Sequence, residues 1–404
     1  MEKATKNTHL NHLEDNVFLG GIDGTRDSID FLRKFRDLLQ GRSSRKMNTS
    51  VKWDGAPALW IGPHPEDGKM MIAKKSLFNK TPLYYQSVSE IKRSKDLSDE
   101  LKKKFIIAFE LYKDVKMSNI LQGDFLFDSD DLKTTRVDGV EYVTFHPNTI
   151  AYSVPADSDL ANTLKKKKMG IVFHTTYSGS TIESLSATAG ARLPKAPEGV
   201  WQIDADFKDM QGSASLTKME TAKIDRHMSM IGQHFRMVDK NAFDILNDPI
   251  MAAFATTYTN AFIRANKTPT PEEAAEGFGE FIMQKFKTEI DKLKTPAGKQ
   301  RRMDAMKAVV APLASIPGHQ LVSVFHLYYG LQTVKNIIIK KLNSSGFIKT
   351  FIKTSDGWRV TGQEGYVATD SLGKNSIKLV DRLEFSYANF SKDVIKGWES
   401  DLRK

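Results

Sequence analysis

The period of the apolar positions changes three times along this chain. Residues 27–40, DSIDFLRKFRDLLQ, put Ile29, Leu32, Phe35, Leu38 and Leu39 at helical spacing behind an Asp/Ser start, which predicts a helix. Short β-branched or aromatic runs follow: SVKWDG, ALWIG, MMIAKKSLF, FIIAFELY, NILQGDFLFD, EYVTFHP, TIAYSVP and GIVFHTTY. Each is broken by Gly, Pro, Asn or Asp, which predicts strands. From about 205 the helical period returns in DILNDPIMAAFATTYTNAFIRAN, PEEAAEGFGEFIMQKFKTEIDKLK, GKQRRMDAMKAVVAPLAS and HQLVSVFHLYYGLQTVKNIIIKKLN. Strand-like runs resume at GFIKTFIKT, GWRVTG, EGYVATD and SIKLVDRLEFS. The order predicts an α+β fold on antiparallel sheet, interrupted by a large helical insertion. Its parts are an N-terminal helical segment (1–45), a core in two pieces (46–205 and 346–404, the second with a short tail), and the insertion (206–345).

One strand-like run carries an anomaly. In NTSVKWDGAPALWIG, Lys52 sits between Val51 and Trp53, and Asp54 and Gly55 follow directly. Alternation turns Lys52 away from its apolar neighbours. A lysine held half-buried is costly unless it is paired or used for chemistry.

Composition narrows the field. The 404 residues suffice for more than one domain, and a net charge of +10 points to polyanionic partners such as nucleic acid or nucleotides. A merely soluble basic surface fits the same number. The absence of cysteine excludes disulfides, thiolate zinc and thiol catalysis, and suits a reducing cytoplasm. The polar start MEKATKNTHLNHLEDN does not read as a signal peptide, and no run approaches a membrane span, so a cytoplasmic protein without membrane partners is expected. His9 and His12 beside Glu14 and Asp15 could ligate a metal on a helix, but such a pair of histidines is more often surface decoration. LGKNS at 372–376 lacks the glycine spacing of a phosphate-binding loop, and Glu198-Gly199 has no lysine strand behind it.

Taken together, Lys52-Trp53-Asp54-Gly55, Gly123-Asp124 on an apolar run, Glu364-Gly365 and the late Lys378 occur in that order. This set resembles the covalent nucleotidyltransferase superfamily of polynucleotide ligases and mRNA capping enzymes, nearest to its RNA-ligase branch. The ends of the chain also look like uncharacterised ligase-like proteins of large tailed bacteriophages, for which the host cytoplasm is the expected compartment. The resemblance implies an ATP-grasp-like ligase core in which Lys52 attacks the α-phosphate of ATP, less readily GTP, to form a lysyl-AMP intermediate. It implies nucleotide contacts from Asp54, Gly55, Lys75, Asp124, Tyr152, Glu364 and Lys378, with Tyr152 stacking on the base ahead of Phe145 and Phe173. Glu364 and Asp124 take the metal-binding positions for Mg²⁺ or Mn²⁺, and RNA is favoured over DNA as the strand sealed.

Two departures from the family stand out: Asp124 occupies a usual Glu, and Val380 a usual second lysine. The short C-terminal tail leaves no room for the family's OB domain, which makes the helical insertion the candidate specificity module. Within it, KTEIDKLKTPAGKQRRMDAMK groups Lys299, Arg301 and Arg302 as candidate phosphate contacts. Other readings of these residues stay open: an exposed strand lysine, a hairpin turn at Glu364-Gly365, a strand end at Asp124, a core Tyr152. So do transfer to a protein or RNA 5′ end, and a binding protein on a decayed ligase scaffold.

Overall fold

The computed structural model describes residues 11–42, 48–206, 214–346, 348–369 and 376–399. The strands, in chain order, are β1 Asn48–Lys52, β2 Ala58–Pro63, β3 Met70–Ala73, β4 Tyr84–Tyr85, β5 Ile120–Asp128, β6 Lys133–Val137, β7 Val140–Phe145 and β8 Ala151–Pro155. They continue with β9 Met169–Ser178, β10 Ser186–Ala189, β11 Val200–Asp204, β12 Lys349–Thr354, β13 Gly357–Val360, β14 Gly365–Thr369, β15 Ser376–Leu379 and β16 Val394–Ile395. The helices are α1 Asn16–Leu19, α2 Gly21–Leu39, α3 Val88–Arg93, α4 Asp99–Tyr112, α5 Asp159–Leu164 and α6 Lys218–Met237. They continue with α7 Lys240–Leu246, α8 Pro249–Arg264, α9 Pro271–Lys292, α10 Pro296–Ala314, α11 Gly318–Asn343 and α12 Arg382–Phe390.

The molecule is mixed α+β, with mainly antiparallel sheets and a helical region over residues 218–343. Among the described residues the strands make three sheets. One is β1-β14-β15; a second has the order β10-β9-β5-β2-β3-β4, with β11 parallel to β9; the third is β13-β12-β8-β7-β6, with β16 on β12. In the small sheet Val51, Tyr366 and Leu379 lie opposite one another and are all buried, so that face is core.

The helical region shares its core with the small sheet. Its buried residues, Ile224, Phe278, Leu331 and Ile338 among them, join Val51, Trp53, Tyr366 and Leu379 in one continuous apolar cluster. α2 belongs to this mass too, its buried stripe Ile29, Leu32, Phe35 and Leu39 repeating at helical spacing. Each fully buried aliphatic chain contributes about 1.5–3 kcal/mol, so the helices brace the small sheet rather than hang from it.

Two expectations fail for identifiable reasons. FIIAFELY is helical, not a strand: Ser98 caps α4 by accepting from Leu101 N–H, Asp99 and Glu100 fill the first turn, and Phe105, Ala108, Phe109 and Tyr112 form its buried stripe. The tail SIKLVDRLEFS splits into β15 and α12, because Asp381 accepts from the Leu383 and Glu384 N–H groups and starts a helix.

Candidate functional site

Strand pairing assembles the site from distant pieces of chain. β1 lies antiparallel to β14 with Lys52 opposite Gly365, and β14 lies antiparallel to β15 with Val367 opposite Lys378. Lys52, Val367 and Lys378 therefore share the face opposite to the buried one. At ordinary strand spacings Lys52 and Lys378 are about 11–12 Å apart at Cα, within range of two lysine chains converging on one group. Glu364, the residue before β14, ion-pairs with Lys52. The lysine side chain is 36% exposed and the glutamate 11%, so the pair is partly shielded from solvent.

Gly365 has a packing reason. A Cβ there would stand 2.5 Å from Val380 Cγ2 and 2.6 Å from the Leu379 carbonyl oxygen. Val380 is itself fully buried, which accounts for an apolar residue at the position where the ligase resemblance would place a second lysine.

The segment after Lys52 is pinned in place. The Asp54 carboxylate accepts from Asn148 Nδ2 at 2.8 Å, Thr149 N–H at 2.7 Å and Ile150 N–H at 2.8 Å, while its own N–H donates to Tyr152 Oη at 2.7 Å. Asp54 thus ties the lysine-bearing loop to the start of β8. Gly55 lets that loop lie on β5, since a Cβ would come within 2.6 Å of Asp124 Cβ. Ala56 N–H donates to Phe125 O, and Phe125 N–H to Pro57 O, completing the attachment.

Asp124 enters from the second sheet. The β5–β9 register shifts between Gln122 and Gly123, where a Cβ would meet the Val172 carbonyl at 2.4 Å. Such an irregularity re-aims the side chain beside it. Phe125 and Phe173 point into the core beneath that sheet, so Asp124 and His174, their neighbours in sequence, face the other way. His174 Nε2 stands 3.6 Å from Asp124 Oδ2, too long for a hydrogen bond but close enough for charge to be felt.

The charges of the cluster act on one another. Burial pushes the Asp124 carboxyl up to about 7, with Lys52 opposing and Asp54 reinforcing. Burial also raises Glu364, against the pull of Lys52. Lys378 is held below the usual lysine range, first by burial and then by the charge of Lys52, while Glu364 partly restores it. His174 is lowered to about 4 by burial and by Lys52, which leaves a neutral imidazole at physiological pH.

Several of the expected contacts are not made. Tyr152 is fully buried, its ring 4.5 Å from Trp53 and stacked 5.5 Å from Phe145, so its faces are taken and it cannot stack on a base in this conformation. Phe145 and Phe173 are equally buried. Lys75 begins a short turn after β3 and is exposed, and no contact among the described residues joins it to the Lys52 cluster. Nor do Glu364 and Asp124 form a metal cage, since the described residues contain no group of three or more candidate ligands. A divalent ion held here would have to draw most of its ligands from substrate oxygens. In the helical region Arg302 is committed to an ion pair with Glu289 and lies 4.5 Å over the Phe286 ring, while Lys299 and Arg301 remain exposed.

The N-terminal polar residues are the largest surprise. Glu14 and Asp15 are buried. Lys335 Nζ, also fully buried, donates to both Glu14 oxygens at 2.6 and 2.8 Å, and Arg382 Nη1 donates to Asp15 at 2.6 Å. His12 forms an isolated bridge to Lys378, linking this network to the site; His9 lies outside the described residues. Sequence reasoning also missed His174, although alternation after buried Phe173 could have placed it on the same face as Asp124.

The fold and cluster define a mixed α+β protein with a lysine paired to one partly buried carboxylate, a second carboxylate within its electrostatic reach, and a second lysine on the same sheet face. Residues 7–394 match the family of unknown function DUF6267, and the chain belongs to that family. No curated protein and no solved structure matches it.

Proposed function

We propose that the protein is an ATP-dependent nucleotidyltransferase that carries AMP on Lys52 and seals nucleic-acid ends, RNA before DNA, on an antiparallel-sheet core of the ligase kind. The observation that carries this reading is the β1-β14-β15 pairing, which gathers Lys52, Glu364 and Lys378 from opposite ends of the chain onto one sheet. In the first step the neutral Lys52 amine attacks the α-phosphorus of ATP. A P–N bond forms, the bond to the bridging oxygen breaks, and pyrophosphate leaves with the electron pair. The proton given up by the amine passes to solvent, and Glu364, in contact with Lys52 Nζ, orients that nitrogen for the attack. Lys378 supplies positive charge toward the phosphate, and neutral His174 can donate a hydrogen bond beside it. A divalent ion held by Glu364 and Asp124 would offset the charge that develops on the phosphate oxygens. A 5′-phosphate oxygen then displaces Lys52 from the AMP phosphorus, and a 3′-hydroxyl displaces AMP to leave a phosphodiester.

A second reading, a ligase-like scaffold that binds without turnover, draws on buried Tyr152 and on Val380 in place of a lysine. Incubation with α-labelled ATP or GTP and Mg²⁺ or Mn²⁺, followed by a denaturing gel, decides between them. The first reading expects label that survives denaturation and disappears in Lys52→Ala. Absence of label with both nucleotides and both metals sinks it, and label that persists in Lys52→Ala removes Lys52 as the nucleophile. Label without strand joining would indicate transfer to another acceptor.

A further inference from the structure

A basic groove lies on the helical side of the molecule. The helices α2 and α6, nearly two hundred residues apart in sequence, bound an open groove of about 650 Å³ lined by Arg33, Arg36, Arg42 and Arg236 against one carboxylate, Asp225. The α6 face is built by spacing: Asp225, Met228, Ser229, Gly232, Gln233 and Arg236 recur at three- and four-residue steps. Gly232 keeps the floor low, since the only heavy atom near a Cβ there is an Arg236 nitrogen at 3.8 Å. Gln40 Nε2 donates to Thr221 Oγ1 and fixes the end of α2 against the start of α6.

The arginines divide into two kinds. Arg36 is held, bonded to Asp225 at 2.6 Å and Asp37 at 2.8 Å, and Arg33 makes a loose exposed pair with Asp30 at 3.3 Å. Arg42 and Arg236 are exposed and have no carboxylate partner among the described residues. Two free guanidinium forks flank one that is already oriented.

We infer that this groove binds the phosphate backbone of a single-stranded nucleic acid, with Arg42 and Arg236 as the direct phosphate contacts. Guanidinium forks match phosphate oxygens two at a time. The lining offers only Met228 as an apolar anchor, whereas protein partners are gripped by buried aromatic and aliphatic hot spots, so a charged chain fits better than an acidic protein. Arg42 lies ten residues before Lys52, which bounds their separation at about 35 Å. The groove differs from the basic stretch at 287–307, where Arg302 is already paired. The inference needs no chemistry at Lys52.

The test is fluorescence anisotropy of the full chain with a labelled single-stranded RNA of about 20 nucleotides, titrated at several salt concentrations. Arg42→Ala/Arg236→Ala should weaken binding by about tenfold or more and reduce the salt slope by about 1.4, two contacts at about 0.7 each for a single strand. Arg42→Lys/Arg236→Lys should keep most of the slope. A thermal melt of each variant guards against misfolding; because both arginines are exposed and unpaired, no loss of stability is expected. Should the double alanine variant still fold poorly, Arg42→Gln alone carries the test, with half the slope change. Unchanged affinity and slope overturn the inference, as does competition by polyglutamate equal to that by unlabelled RNA. Lys52 labelling by ATP, measured on the same variants, is expected to be intact. Its absence in wild type would fail the nucleotidyltransferase reading and leave the groove standing.

Discussion

Replacing Asp124 with asparagine should make the protein more stable at neutral and alkaline pH while leaving acid stability almost unchanged. The carboxyl is 18% exposed in the wall between two sheets, and burial raises it from the ordinary 3.8 to about 7. Its folded-state pKa is raised, so the stability it contributes is fully present below pH 3.8. That stability declines as pH rises toward 7 and is flat above, where folded and unfolded chains are both ionised. A shift of about three units corresponds to about 4 kcal/mol at 1.36 kcal/mol per unit. The amide that replaces the carboxyl has no charge to gain. Urea denaturation of wild type and Asp124→Asn, in chelator and at half-unit steps from pH 4 to 8.5, isolates this residue from every group that does not interact with it. The variant's advantage should begin near zero, climb between pH 4 and 7, and level off at several kcal/mol. A difference that stays flat, or that favours wild type as pH rises, would refute the assignment of Asp124 as a buried carboxyl whose charge Lys52 only partly offsets.

Other perturbations have equally definite outcomes. Lys335→Met leaves buried Glu14 with Arg382, 3.5 Å away, as its remaining ion-pair partner among the described residues, and should cost about 3–5 kcal/mol in urea denaturation. Pairing it with Glu14→Leu should recover much of that loss, and a double variant no more stable than Lys335→Met would show the two side chains to be uncoupled. Gly55→Ala drives a Cβ to within 2.6 Å of Asp124 Cβ and should cost about 1–3 kcal/mol by thermal melting, with Lys52 labelling falling as the loop shifts.

Legibility in the sequence followed the range of the interaction. The strands around Lys52 and Lys378 were readable because their alternation is local, with Val51 and Trp53 buried on either side of Lys52. Long helices such as α9 and α11 were readable from their period. FIIAFELY was misread because its β-branched and aromatic content outweighed, in a short window, the Ser98 cap standing seven residues upstream. The burial of Glu14 and Asp15 was invisible for a different reason: it depends on Lys335 and Arg382, more than three hundred residues away. Tyr152 sits on a strand whose neighbours come from β1's following loop and from β7, so no pattern in TIAYSVP could say that both ring faces are covered. The groove of α2 and α6 was hidden likewise, since neither helix alone carries a conspicuous basic run.

The lysine cluster combines three ways of holding a side chain. Backbone pairing fixes Lys52 and Lys378 along two strands of one sheet, so their separation follows from register rather than from loop conformation. Asp54 spends its whole carboxylate on the Asn148–Ile150 segment, which makes it an anchor for the lysine loop, not a spare ligand. The irregularity at Gly123 and the bare Gly55 bring Asp124 up against that loop from a different sheet. Each device needs a particular residue, a glycine where backbones touch or an aspartate where N–H groups converge. Together they hold two raised carboxyls and a depressed lysine around one half-exposed amine. Keeping these groups together costs stability, as the Asp124 linkage illustrates. A cluster held against such a cost is the expected signature of a site kept for binding or chemistry, whereas an apolar filling would serve the fold better.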